Sequence, residues 1–135
     1  MNTKKLSKSP AVTHETLAGD LHIITFKESS RDAVDDYIRA MERIYVDLTP
    51  DDTVRILVDY RQSGIPPIRY LITRGLAWAN SLKFHPAARL AIVNKADFTV
   101  SILGSLVKMY RFGHLSTNFF EEEAGYEKAL IWLRD

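Results

Sequence analysis

The stretch Val-Arg-Ile-Leu-Val-Asp-Tyr, residues 54–60, decides the fold. Its mostly apolar, β-branched residues predict a central strand, and the run stops at a carboxylate, Asp59. A polar loop, residues 61–64, follows at once, and the prolines at 66 and 67 then open a helical pattern. Open α/β sheets place their binding crevices at strand–loop–helix units of this kind. The segment therefore predicts an α/β fold and marks where a ligand would meet it.

The residues before this strand predict a hairpin and a helix. Alternating residues around Ala18-Gly19-Asp20 predict strands near 11–17 and 21–27 joined by a tight turn. Apolar residues at three- and four-residue intervals then predict a helix over about 31–48. Ser29 or Ser30 would cap it, because Ser29 with Asp32 resembles a capping box.

The residues after the strand alternate between helical and strand patterns. We predict a helix from 66 or 67 to about 83, a strand over 89–94, a helix over about 98–112, a short strand over 117–120 and a final helix headed by Glu121 to Glu123. The order ββαβαβαβα predicts a single-domain, mixed and mostly parallel sheet with an N-terminal β-hairpin and four helices. We expect one domain over 11–135 and a flexible tail over 1–10.

Bulk composition bounds the class of protein. The 135 residues suit one domain, and the net charge of +1 gives no reason to expect nucleic acid as a partner. The absence of cysteine removes disulfides and cysteine-ligated metals. No apolar run approaches the roughly 20 residues of a membrane span, and residues 1–9 do not resemble a signal peptide. We expect a cytoplasmic protein without a cofactor.

The sequence carries no recognised motif for catalysis or metal binding. The four histidines, His14, His22, His85 and His114, lack metal-ligand spacing, although His14 and His22 could be neighbours across the hairpin. The acidic run 121–123 complements the dipole at the start of the last predicted helix. Lys108, Arg111 and His114 gather at the end of the predicted helix 98–112, where cations complement the dipole; the alternative is that they contact an anion or a partner. No catalytic residue and no metal ligand is predicted.

The loop after Asp59 is the leading candidate for a binding site. Its residues are Asp59, Arg61, Gln62, Ser63 and Gly64. Asp59 ends a strand and should face the crevice, while the following helix N-terminus favours an anion or a phosphorylated side chain. The alternative is that Asp59 only binds loop amides and the rest is a solvated turn.

The last predicted helix carries a second candidate surface. Ile131 and Trp132 lie well off the face that the other apolar residues of the helix define. They predict either a dimer or partner patch, or a contact with a neighbouring helix or the tail.

Three passages carry a resemblance to a known family. They are Ile56-Leu57-Val58-Asp59 followed by a helix, Arg89-Leu90-Ala91-Ile92-Val93, and Asn118-Phe119-Phe120 through Glu127-Lys128-Ala129-Leu130-Ile131-Trp132-Leu133. With the element order, they resemble the STAS-like domains, within them the small bacterial proteins of SpoIIAA-like (STAS/SEC14) type. The resemblance spans roughly residues 11–134.

The resemblance implies a regulatory or ligand-binding module and not an enzyme. Sporulation antagonists of this group carry an Asp-Ser pair, with a phosphorylatable serine, where this chain has Gly64-Ile65-Pro66-Pro67-Ile68. Ser63 is the nearest hydroxyl. Our leading hypothesis is a non-enzymatic module that binds a protein partner or a small anionic ligand at the loop 59–65, with a homodimer as one form. The alternatives are an SEC14-like carrier of an apolar ligand and a small enzyme using Asp59 with His114 or His85.

Overall fold

A computed structural model describes residues 10–95, 115–121 and 123–135. Within them the chain forms one five-stranded sheet whose neighbouring strands follow chain order. The first two strands are antiparallel and every later pair is parallel. The strands are β1 (Val12–Leu17), β2 (Leu21–Phe26), β3 (Thr53–Asp59), β4 (Ala87–Val93) and β5 (Leu115–Phe120). This confirms the predicted mixed α/β sheet with a hairpin at one edge.

Three helices belong to the described residues: α1 (Arg31–Tyr45), α2 (Ile68–Ser81) and α3 (Gly125–Arg134). The fourth predicted helix, over 98–112, lies outside the described residues, as do residues 1–9 of the predicted tail. None of the three helices is long and apolar enough to cross a membrane.

The helices pack on opposite faces of the sheet. Alternation along β3 turns Val54, Ile56 and Val58 toward α1 and α2, where they join the larger buried cluster. Leu57 belongs to a second cluster, beneath α3. Since strand order never reverses, right-handed crossovers place α1 and α2 on one face, where they contact each other. The helix after β5 takes the other face.

Of the two serines predicted to cap α1, the structure selects Ser30. Ser30 is the N-cap, and its hydroxyl accepts the N–H of Ala33 at 3.1 Å. The predicted capping box of Ser29 and Asp32 is wrong, because the Ser29 hydroxyl instead donates to the carbonyl of Ile65. That contact ties the start of α1 to the loop after β3.

The final helix begins later than the acidic run that was expected to head it. Glu121 and Glu123 precede the first helical residue, Gly125. A Cβ on Gly125 would stand 3.0 Å from the carbonyl oxygen of Phe120. The chain must turn this tightly at the end of β5 before α3 can start, and glycine allows that close approach.

Candidate functional site

The loop after β3 is organised by a salt bridge between the carboxylate of Asp59 and the guanidinium of Arg61. Asp59 is the last residue of β3, and it is 4% exposed. Arg61 donates from Nε to Oδ1 at 3.0 Å and from Nη2 to Oδ2 at 2.9 Å, while its backbone N–H donates to Oδ1 at 3.0 Å. Both carboxylate oxygens are therefore engaged by a residue two positions away, which fixes the first turn of the loop.

The guanidinium of Arg61 also contacts α3, the helix that packs on the face of the sheet opposite α1 and α2. Its Cζ lies 4.9 Å from the centroid of the Tyr126 ring, in the first turn of α3. The hydrogen bond to Asp59 raises the pKa of Arg61, so its guanidinium stays charged. Burial, followed by the negative charges of Glu15 and Asp59, raises the pKa of Tyr126. One edge of the sheet therefore brings together residues from β1, β3, its loop and α3.

The rest of the loop is held by its own polar groups. The Ser63 hydroxyl donates to the carbonyl of Gly64 at 2.8 Å, and the N–H of Gly64 donates to the carbonyl of Tyr60 at 2.9 Å. Gly64 has a φ of 75°, a conformation that glycine adopts at little cost. Gln62 is exposed. The structure places the predicted site residues in one turn, and Gln62 is the residue most exposed to solvent among them.

The strand order changes how the crevice prediction is understood. Crevices in open α/β sheets form where the order of strands reverses, and the described sheet runs from β1 to β5 without reversal. At the carboxyl ends of β3 and β4, the N–H of Tyr60 donates to the carbonyl of Val93 at 2.8 Å. This hydrogen bond keeps the two strands paired where a crevice would separate them. The candidate site is therefore a fixed loop on the sheet edge, with Arg61 lying between Asp59 and α3.

The far end of α3 is held by two arginines that the sequence analysis did not single out. Arg55 donates from Nε to the carbonyl of Leu133 at 2.8 Å, and Arg89 donates from Nη2 to the carbonyl of Trp132 at 2.6 Å. They are partners in the register of β3 and β4 and lie on the α3 face. Each binds a carbonyl that the helix end leaves unpaired. In the sequence, each of the two is a charged residue within a largely apolar predicted strand, and that was the one indication of a special role.

The predicted partner patch on α3 divides into two environments. Ile131 is 63% exposed. Trp132 instead covers Arg89, whose Cζ is 4.3 Å from a ring centroid, and its ring lies 6.1 Å from that of Phe120. The patch remains a prediction, with Ile131 as its accessible member.

The histidines occupy different edges of the molecule. His14 and His22 are neighbours, as the hairpin predicted, with Nε2 and Nδ1 3.0 Å apart. Burial is the main cause that lowers the pKa of each ring. His85 lies beyond the end of α2 and binds the carbonyl of Ala79 at 3.0 Å. His114, with Lys108 and Arg111, lies outside the described residues.

The enzyme hypothesis required Asp59 to meet a histidine. His85 precedes β4 at the amino edge of the sheet, whereas Asp59 ends β3 at the carboxyl edge. The seven residues of β3, from Thr53 to Asp59, span about 20 Å. That separation prevents proton transfer between Asp59 and His85.

In residues 10–95, 115–121 and 123–135, no three histidine, aspartate or glutamate side chains converge on a point that could hold a metal ion. No protein-family model matches the chain, and no curated protein matches it.

Proposed function

We propose that the chain is a non-enzymatic binding module of STAS-like type, which contacts a protein partner or a small anionic ligand through the loop 59–65. The proposal includes the full order ββαβαβαβα, with the helix expected over 98–112, and a bacterial, cytoplasmic setting. The observation that carries it is the fixed turn formed by Asp59, Arg61 and Tyr126. A loop held in one conformation before binding loses less conformational entropy when a partner docks.

The loop offers groups that recognise a partner. Gln62 is exposed and can both donate and accept hydrogen bonds. Pro67 is the N-cap of α2 and supplies no side-chain cap, so the first N–H groups of α2 have no side-chain acceptor there. An anionic group on the partner suits those donors.

The same geometry argues against catalysis by Asp59. A general base needs a carboxylate oxygen within hydrogen-bond reach of the proton that it removes. Both oxygens of Asp59 already accept from Arg61. Removing Arg61 from them would leave a buried charge without its partner, so the pair is better suited to hold the loop.

The carrier hypothesis requires room between the helices and the sheet. On the α1 side, the ring of Phe26 lies 5.5 Å from that of Tyr37 and 4.8 Å from that of Tyr60. Those three buried side chains pack against one another on the α1 side, where a lipid cleft would need open space. This packing favours the binding module over the carrier.

A phosphorylation switch at Ser63 is the regulatory form of the proposal. The Ser63 hydroxyl donates to the carbonyl of Gly64, and a phosphate there would remove that donor and add negative charge. We expect Ser63→Asp to change partner affinity and Ser63→Ala to retain it. Equal binding by both variants would leave a constitutive module.

Site-specific crosslinking tests where the partner binds. A photo-reactive amino acid at position 62 is compared with the same residue at position 83, where Lys83 is exposed beyond the other end of α2. After irradiation in cells of the source organism, we expect a discrete protein adduct from position 62 alone. Equal adducts from both positions would contradict the loop as the docking surface.

Native mass spectrometry of the gently purified chain tests the ligand form of the proposal. A bound small anion should leave on mild activation, whereas a lipid would identify the carrier. If the crosslinks fail and a lipid is retained, the binding-module proposal is wrong.

A further inference from the structure

The β-hairpin brings two imidazoles together on the face that α1 partly covers. In its register His14 is opposite Ile24 and Thr16 is opposite His22, so the histidines are diagonal neighbours on one side of the two strands. Diagonal neighbours lie within reach of long side chains. The rings are tilted by 42°, with centroids 5.2 Å apart.

The separation of the ring nitrogens is close to the separation of two ligands on a metal ion. Nε2 of His14 and Nδ1 of His22 are 3.0 Å apart. Two imidazoles on tetrahedral Zn²⁺, at about 2.0–2.1 Å each, hold their nitrogens about 3.3–3.4 Å apart. The two nitrogens are at hydrogen-bond distance in the free protein, so to hold an ion they must part by about 0.4 Å and each ring must turn its lone pair toward the ion.

The surroundings leave room for a weak third ligand. The Thr16 hydroxyl lies 3.4 Å from Nδ1 of His22. Asp20 is close enough for its negative charge to act on His22, while Arg43 of α1 acts on His14. The two charges oppose each other, so binding depends mainly on the imidazoles. Both rings are half-buried and remain open to solvent.

We propose that His14 and His22 form a reversible binding site for a divalent transition-metal ion, with water completing its coordination. Imidazole favours Zn²⁺, Ni²⁺ and Cu²⁺ over Mg²⁺, and affinity should rise from Zn²⁺ to Cu²⁺. The bound ion would join β1 to β2 at the edge of the sheet and stabilise the hairpin. The site is separate from the loop 59–65, so it does not depend on the proposed function.

Calorimetric titration of the full chain with ZnCl₂ in a non-chelating buffer at pH 7.5 tests the site. We expect one equivalent of Zn²⁺ to bind, and His14→Gln or His22→Gln to weaken binding by about tenfold or more. His85→Gln is the matched control, because His85 is exposed and lies just before β4, a strand that does not pair with the hairpin. Equal binding by His14→Gln and the unaltered chain would overturn the proposal.

NMR of the unaltered chain keeps the test independent of how the variants fold. On addition of Zn²⁺, the resonances of Nε2 in His14 and Nδ1 in His22 should shift together, and MgCl₂ should shift neither. Zn²⁺ should also raise the melting temperature of the unaltered chain, since an ion that binds only the folded state stabilises it. Ring resonances that do not move at millimolar Zn²⁺ would rule the site out.

Discussion

Replacing Arg61 by glutamine should destabilise the protein by about 2 kcal/mol. The Asp59 side chain is 6% exposed and would lose two charged hydrogen bonds, keeping one from the backbone. Breaking a fully buried pair costs about 3–5 kcal/mol, whereas an exposed pair contributes about 0.2–1 kcal/mol. The Arg61 side chain is 41% exposed, so water can replace part of what is lost, and the estimate falls between those limits.

Urea denaturation followed by tryptophan fluorescence measures the change. Arg39→Gln is the matched control, because Arg39 pairs with Asp36 on the surface of α1 at 58% side-chain exposure. We expect the control to lose less than about 0.5 kcal/mol. A double-mutant cycle with Asp59→Asn should give a coupling energy of about 1–2 kcal/mol. If Arg61→Gln and Arg39→Gln lose the same stability, the pair does not hold the loop.

Three further changes probe other parts of the fold. Gly125→Ala should cost about 1–3 kcal/mol, because its Cβ would press on the carbonyl of Phe120; thermal unfolding measures this. Ser30→Ala should cost about 1 kcal/mol by removing the cap of α1, which urea unfolding would show. The lowered pKa values of His14 and His22 mean that the unfolded chain binds more protons below about pH 7. Stability should therefore fall as pH drops through 6.5, and urea midpoints between pH 8 and 5.5 would follow it.

Each of these changes has its own check. Glu123→Ala, just before α3 and exposed, should leave the melting temperature nearly unchanged beside Gly125→Ala. Ser29→Ala leaves the cap in place, so a loss as large as that of Ser30→Ala would argue against the assigned cap. The combined replacement of His14 and His22 by glutamine should flatten stability between pH 7 and 5.5; an unchanged slope would assign the effect to other groups.

Local pattern was enough to predict the elements whose signal is periodic. The apolar stripe of α1 and the alternation on either side of Gly19 depend on neighbours within a few residues. Gly19 and Asp20 take φ values of 81° and 58°, as a tight hairpin turn requires. Boundaries were less predictable. The apolar stripe continues to Leu48, yet α1 ends at Tyr45, and the N–H of Leu48 donates to the carbonyl of Tyr45 in a tighter turn beyond the helix.

The sequence predicted the loop residues of the candidate site but not their contact with α3. The loop residues were found because a carboxylate ended an apolar strand. The partner of Arg61 was missed, because Tyr126 lies 65 positions along the chain and meets it only once α3 has packed on the second face. Sequence order also does not determine strand order, so the absence of a reversal beside β3 had no local signal.

The contacts of α3 connect its position to the conformation of the loop. At its start, Tyr126 packs on the Arg61 that binds Asp59; at its end, Arg55 and Arg89 bind its last carbonyls. Loss of the Arg61 side chain would remove the contact at the start of the helix, while the two strand arginines would still hold its end. The first turn of α3 therefore depends on the loop after β3, whereas its last turn depends on β3 and β4.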